Sequence, residues 1–353
     1  MNDVEGYSSK INLEAIQYAY NILGTRAIRT PILRSISLTQ LVERPGRINV
    51  FLKCENFQRG GSFKFRGACF FLSQLSEETL KKGVVSYSTG NHAIGLALAA
   101  AEASGALGYP IPVLIIMTYT ASPTKIDKIR ALGATVIRAG ATLTECTTYA
   151  EEVHRETGAT VVPTSSHPFN TLGQGTAAVE FLEQMEEIGE GPLDAIIVPS
   201  GGASLLAGTA VACHGLQPKL RVFGSEPISG AANLGKARSR GQRITKLEGF
   251  TIADGLRQPV AACNWNIVRR KDLVEDCLFT CATCGGARLV GGSRYKSTGM
   301  LIEPSSAVPV AALLFNKHLH QHLRGSFEGR PMNIGVIITG GNVSAACLDT
   351  LRA

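Results

Sequence analysis

The feature that most constrains this chain is a rhythm. Short apolar runs end in loops of glycine and small polar residues, and stretches with helical periodicity follow them. NVFLKC (49–54), GVVSY (83–87), PVLIIM (112–117), TVIR (135–138), TVVP (160–163), DAIIV (194–198), LRVFGS (220–225) and NIGVII (333–338) read as strands. Helical spacing covers 12–24, where Gly24 marks a stop, then 62–75, 93–103, 123–132, 144–157 and 176–187. Parallel strands need a long crossover, and a helix supplies one. The pattern therefore predicts an α/β architecture with mainly parallel sheets.

At 353 residues and 44% hydrophobic, the chain can bury a sizeable core and is not disordered by composition. Its net charge of +7 comes from scattered Lys and Arg with no dense basic run, which argues against nucleic acid as a partner. The first residues lack a basic-then-apolar leader pattern, and no apolar run reaches the roughly 20 residues of a membrane helix. A cytoplasmic protein with no membrane partner is expected, its nine cysteines mostly reduced. Cys277, Cys281 and Cys284 form the only cysteine cluster, and Cys281-x-x-Cys284 lacks the second pair that would complete a zinc or redox site. RSRGQR (238–243) reads as a polar surface loop.

Three loops carry the chemical interest: Ser88-Thr89-Gly90-Asn91-His92, Gly201-Gly202-Ala203-Ser204 and Thr339-Gly340-Gly341-Asn342. In open α/β sheets, ligands sit beyond the carboxyl ends of strands, and helix N-termini attract anions. Together the loops imply a ligand with anionic groups. Lys64 lies in GGSFKFRGA (60–68), flanked by aromatics at the start of a helix. A lysine held against apolar surface has a lowered pKa, which suits Schiff-base chemistry. On the local sequence alone, the ordinary reading is a surface lysine with its head in solvent.

GSFKFRGA, then STGNHA, then GGAS, then TGGN resembles the serine/threonine dehydratase and serine racemase family, which are fold-type-II pyridoxal-phosphate enzymes. The resemblance runs from about Ile28 onward, with HPFNTLGQGT (167–176), IADGL (252–256) and EPSSAV (303–308) in support. It implies two open, mainly parallel twisted sheets with flanking helices. The cofactor would lie in the cleft between a large domain (1–82 and 169–353) and a smaller mobile domain (83–168) that carries the substrate loop. It implies pyridoxal 5'-phosphate as cofactor, joined to Lys64 as a Schiff base, with Phe63 beside the ring. Asn91 would face the phenolic oxygen and Thr339 the pyridine nitrogen. Backbone N–H groups of Gly201, Gly202, Ala203, Ser204 and Leu205 would cradle the phosphate. Ser88, Thr89, Gly90, Asn91 and His92 would take the substrate carboxylate, and a homodimer is implied.

A hydroxyl beside the pyridine nitrogen does not hold that nitrogen protonated, so carbanion character is less stabilised than with an Asp. That favours prompt loss of a β-hydroxyl, assisted by the cofactor phosphate, after Lys64 removes the α-proton. The expected reaction is an α,β-elimination on serine, threonine or a related β-hydroxy amino acid, giving a 2-oxo acid and ammonia. An amino-acid racemase, a β-replacement enzyme and a non-catalytic cofactor-binding relative are the alternatives.

The sequence also departs from the family pattern. Ala203 and Ser204 stand where many relatives have glycine, and Ala tolerates φ > 0 poorly. Thr89 stands where racemases carry a serine that serves as second proton donor and acceptor; its methyl group restricts the rotamers. Glu226 and Gly230 match a divalent-cation site, but Ala232 replaces its Asp, so no metal is expected there. The Gly-rich stretch 277–298 replaces an acidic helix and reads as irregular. His92, His167 and Arg66 read as packing or pocket residues rather than proton carriers.

Overall fold

The computed structural model describes residues 10–42, 47–88, 90–121, 123–230, 233–247, 249–280, 300–323 and 330–343. Thr89, Ala232, Cys281, Cys284 and the remainder of 281–298 lie outside the described residues. The strands are β1 (Ile32–Arg34), β2 (Ile48–Cys54), β3 (Val84–Tyr87), β4 (Val113–Met117), β5 (Thr135–Arg138), β6 (Thr160–Val161), β7 (Ala195–Pro199), β8 (Arg221–Pro227), β9 (Asp276–Thr280) and β10 (Met332–Ile338).

Six of them pair in the order β1-β2-β10-β7-β8-β9, antiparallel only between β1 and β2. The other four form a wholly parallel sheet, β5-β4-β3-β6, drawn entirely from residues 84 to 161. The expected pair of mainly parallel sheets is therefore present. Every residue of β7 and β10 is buried. Helices cover both faces of such strands, which is why they read as unbroken apolar runs rather than alternating ones.

Helix ends follow local chemistry. Asn12 Oδ1 accepts from the Ala15 N–H (2.8 Å) and caps the Leu13–Leu23 helix, while Gly24 at φ 40° ends it. One boundary needs correction: the helix expected over 176–187 begins about two turns earlier, at Pro168. Its glycines do not break it because they are contact points. A Cβ on Gly173 would lie 2.6 Å from the Arg66 carbonyl oxygen, and one on Gly175 would lie 3.1 Å from Gly208 Cα. Close packing offsets the low helix propensity of glycine.

RSRGQR is likewise not all loop. Its first residues end the Leu234–Arg240 helix, and Arg238 Nη2 donates to the Val274 carbonyl (2.7 Å). The stretch from Cys277 begins as strand, since Cys277 to Thr280 belong to β9. Sequence reading also missed β1 and the helices Ala262–Val268, Pro304–Phe315 and Lys317–Leu323. Pro304–Phe315 is buried on nearly all sides, so it carries no amphipathic stripe to read.

Candidate active site

The site forms where loops after β10, β7 and β3 converge. Lys64 opens the Lys64–Ser73 helix. The backbone just before it is tied to the loop after β10: the Phe63 N–H donates to the Thr339 carbonyl (3.1 Å), and Ser62 bridges Gly340. Lys64 is half-buried, its Nζ 5.1 Å from the centre of the Phe63 ring, and it donates to the Thr164 carbonyl (2.8 Å). Burial lowers this amine to about 8, against the opposing pull of the Glu303 charge. Near neutrality a useful fraction is uncharged, which is what attack on an aldehyde requires. A solvent-directed surface lysine would do neither.

The loop after β7 makes an anion cradle. Among the described residues, the N–H groups from Gly201 to Leu205 have no hydrogen-bond acceptor. They stand at the start of the Ser204–Leu216 helix, where the helix dipole adds positive potential. Ala203 adopts φ 63°, the only non-glycine residue with positive φ among those described. The left-handed turn is thus made here despite the Ala203 methyl. Ser204 Oγ is not directed at a ligand, because it donates to Gln174 Oε1. Asn264 Nδ2 fixes the loop by donating to the Gly202 carbonyl (2.9 Å) and the Ser165 carbonyl (3.1 Å). Gln258 Oε1 accepts from both Thr164 Oγ1 and Ser165 Oγ, each at 3.1 Å. One short segment, Thr164 and Ser165, therefore touches both the lysine amine and the anion cradle.

A polar chain crosses the third side. Asn342 Nδ2 donates to the Gly60 carbonyl (2.7 Å) and to Asn91 Oδ1 (2.9 Å), and Asn91 Nδ2 donates to Glu303 Oε2 (2.8 Å). The second hydrogen on Asn91 Nδ2 remains for a ligand oxygen. Glu303 Oε1 stands 3.4 Å from Thr339 Oγ1, which lies 2.9 Å from Ser306 Oγ. Burial raises the Glu303 carboxyl to about 7, partly countered by the bond from Asn91. Sequence reading assigned no role to Glu303, Ser306, Thr164, Gln258 or Asn264. The available signal was EPSSAV, where Pro304 marks the first turn of a helix and leaves Glu303 at its N-cap.

His92 is buried, with Nε2 3.3 Å from the Val162 carbonyl and Nδ1 without a partner among the described residues. Burial, reinforced by the Lys64 charge, lowers it to about 3, so it is neutral at ordinary pH. Ser88 is also buried, and its Oγ accepts from the Gly90 N–H (3.3 Å). His167 caps the Pro168–Glu187 helix and packs on Phe71 and Phe169. Arg66 joins a buried network. It donates to Glu55 Oε2 from Nε (2.8 Å) and to Glu180 Oε1 from Nη2 (3.0 Å), while Lys53 pairs with Glu180. Glu226 accepts from the N–H groups of Asn233 (3.2 Å), Leu234 (2.9 Å) and Gly235 (3.1 Å) and from the Cys277 thiol (3.3 Å).

The orphaned donors, the lowered amine and the hydroxyl pair fit a phosphorylated aldehyde with a ring nitrogen. A family model described as pyridoxal-phosphate dependent enzyme matches residues 25–340. The chain is 36% identical over 345 residues to a serine racemase of Arabidopsis thaliana, covering 95% of this chain and 94% of that protein. It is 37% identical over 321 residues to an L-threo-3-hydroxyaspartate ammonia-lyase of a Pseudomonas species, covering 90% and 91%. The solved structure of maize serine racemase superposes with a TM-score of 0.84 at 31% identity, covering 96% of each chain.

Proposed function

The chain belongs to the pyridoxal-phosphate dependent enzymes of fold type II, and from that premise we propose that it is an ammonia-lyase for a β-hydroxy amino acid of the serine or threonine class. The products are a 2-oxo acid and ammonia. The observation that carries this reading is that Lys64 is the one available base among the described residues of the site. Lys64 has an amine lowered to about 8, so a minority of it is neutral at physiological pH. His92 is held neutral against Val162, and the Glu303 carboxyl is tied to Asn91. Racemisation needs an acid or base on each face of the α-carbon, whereas elimination proceeds with one.

Bound pyridoxal phosphate supplies the electron sink that makes an α-proton acidic. Lys64 would hold the cofactor, and its amine, once free, would take the α-proton. The N–H groups of Gly201, Gly202, Ala203, Ser204 and Leu205 would bind its phosphate. Phe63 would pack beside the ring, the Thr339 hydroxyl would serve the ring nitrogen, and the remaining Asn91 N–H would serve the phenolic oxygen. Ser88, Thr89, Gly90, Asn91 and His92 would take the substrate carboxylate, with the segment 83–168 as the smaller domain that carries this loop. No helix among the described residues is long and apolar enough to cross a membrane. A homodimer in the cytoplasm completes the proposal.

Serine racemisation is the second reading, favoured by the 36% identity to a plant serine racemase. Incubation with L-serine decides between them. Pyruvate and ammonia support elimination, and D-serine as the main product overturns it. Lys64→Ala should abolish both products, and wild-type turnover in that variant would remove the basis of the proposal.

A further inference from the structure

At the end of the main sheet opposite the loops described above, three metal-competent side chains meet. Asp276 is the first residue of edge strand β9 and pairs with Phe223 near the start of β8. Strands β7, β8, β9 and β10 run parallel, so Asp276 lies at the other end from the loops that follow β7 and β10. The Lys317–Leu323 helix carries His318 and His322 one turn apart, on a common face. Their Nε2 atoms are 3.1 Å apart, and they stand 2.9 Å and 3.6 Å from Asp276 Oδ2. His320, between them, is turned away, with Nε2 at the Leu313 carbonyl (2.7 Å).

The spacing suits one ion. Four-coordinate zinc with bonds of about 2.0–2.1 Å sets its ligand atoms roughly 3.3 Å apart. The three observed separations straddle that value.

A second observation concerns the direction of the lone pairs. His322 Nδ1 lies 3.1 Å from Glu275 Oε1, and Arg221 Nε holds Glu275 Oε2 (2.6 Å). A carboxylate only accepts, so the Nδ1 atom of His322 carries the hydrogen and a neutral ring presents its Nε2 lone pair. That lone pair faces His318 Nε2 and Asp276 Oδ2; without an ion His318 Nε2 carries a hydrogen to Asp276, and a cation that displaces this hydrogen finds three lone pairs converging on it. A carboxylate behind a ligating histidine is also the usual support of zinc ligands.

We infer that Asp276, His318 and His322 bind a divalent transition metal, zinc first, which clamps the Lys317–Leu323 helix to edge strand β9. Two imidazoles and one carboxylate select zinc-like ions over magnesium or calcium, which prefer oxygen ligands. The side chain of His318 is 61% exposed, so the ion enters from solvent and water completes its shell. The site is separate from Glu226 and from the cofactor cleft, so the ion's role is structural.

The test uses chelator-treated holoenzyme titrated with zinc chloride by calorimetry, with thermal unfolding in parallel. One zinc per chain and a raised Tm are expected, with no shift from magnesium at the same concentration. Glu275→Gln should weaken binding by about 10–100-fold. His318→Ala and His322→Ala, which remove a ligand outright, should weaken it at least as much; exposed His318 makes the first variant safe for folding. Cys281→Ser/Cys284→Ser should bind as wild type, which excludes thiolates as the source. A protein indifferent to zinc would mean a plain imidazolium–carboxylate pair and overturn the inference. So would binding that survives both histidine changes or disappears with the cysteines.

Discussion

Gly202→Ala should damage the anion cradle by sterics alone. A Cβ at Gly202 would lie 2.1 Å from Ser165 Oγ, 2.6 Å from Ser165 Cβ and 3.1 Å from Gln258 Oε1. Backbone conformation is not the obstacle, because Gly202 is not among the glycines with positive φ. Ser165 cannot simply yield. Its Oγ donates to Gln258, and its carbonyl shares Asn264 Nδ2 with the Gly202 carbonyl. Overpacking costs about 1–3 kcal/mol, and a hydrogen bond lost in making room adds about 1 kcal/mol. The sum is about 2–4 kcal/mol, with the N–H donors displaced from the phosphate. Second changes identify the cause. Ser165→Ala keeps the Cβ at 2.6 Å and gives little relief, whereas Ser165→Gly removes the obstruction. The double variant Gly202→Ala/Ser165→Gly should recover about 1–3 kcal/mol of coupling. Denaturant unfolding and cofactor content by absorbance provide the measurements. Wild-type stability and cofactor content in Gly202→Ala would refute the reasoning, as would equal rescue by Ser165→Ala.

Glu303→Gln should flatten part of the pH dependence of apoprotein stability. A carboxyl raised from 4.5 to about 7 stabilises fully below its ordinary value, and that contribution is lost as pH rises through about 7; it amounts to on the order of 3 kcal/mol. Wild type should therefore lose stability relative to the variant across that window, and parallel pH curves would contradict this. Arg66→Met leaves Glu55 and Glu180 with Lys53 as their remaining buried cation, and should cost about 3–5 kcal/mol in denaturant unfolding; a loss under about 1 kcal/mol would show that the network is not truly desolvated. Ala203→Gly relieves about 1–2 kcal/mol of left-handed strain. It gives up about 0.8 kcal/mol of methyl burial and about 0.5–1 kcal/mol of chain entropy. Unfolding should thus show a change within about 1 kcal/mol although the residue is buried; a much larger loss would mean the methyl packs against something essential.

Much of the fold, and the place of Lys64 at a helix start, could be read from the chain itself. Strands and helices announce themselves through periodicities that depend only on near neighbours. The eight strands read from apolar runs all occur, and Lys64 opens a helix as its motif implied, whereas its link to a ligand came from the family resemblance and not from the local sequence. The residue at position 203 was already a question of backbone strain, and the structure answers it with φ 63°. What the chain alone could not state is how distant groups complete one another. Asn91 and Glu303 are 212 residues apart and share a hydrogen bond, and Thr164 meets Lys64 across 100 residues. The Pro304–Phe315 helix hid because burial on all sides erases the amphipathic stripe, and Pro168–Glu187 was cut short because its glycines serve packing rather than turning. The meeting of Asp276 with His318 and His322 depends on a helix docking against an edge strand. Local sequence determines what each element is; which elements touch, and so which protons and lone pairs share a space, is settled only when non-local burial closes the structure.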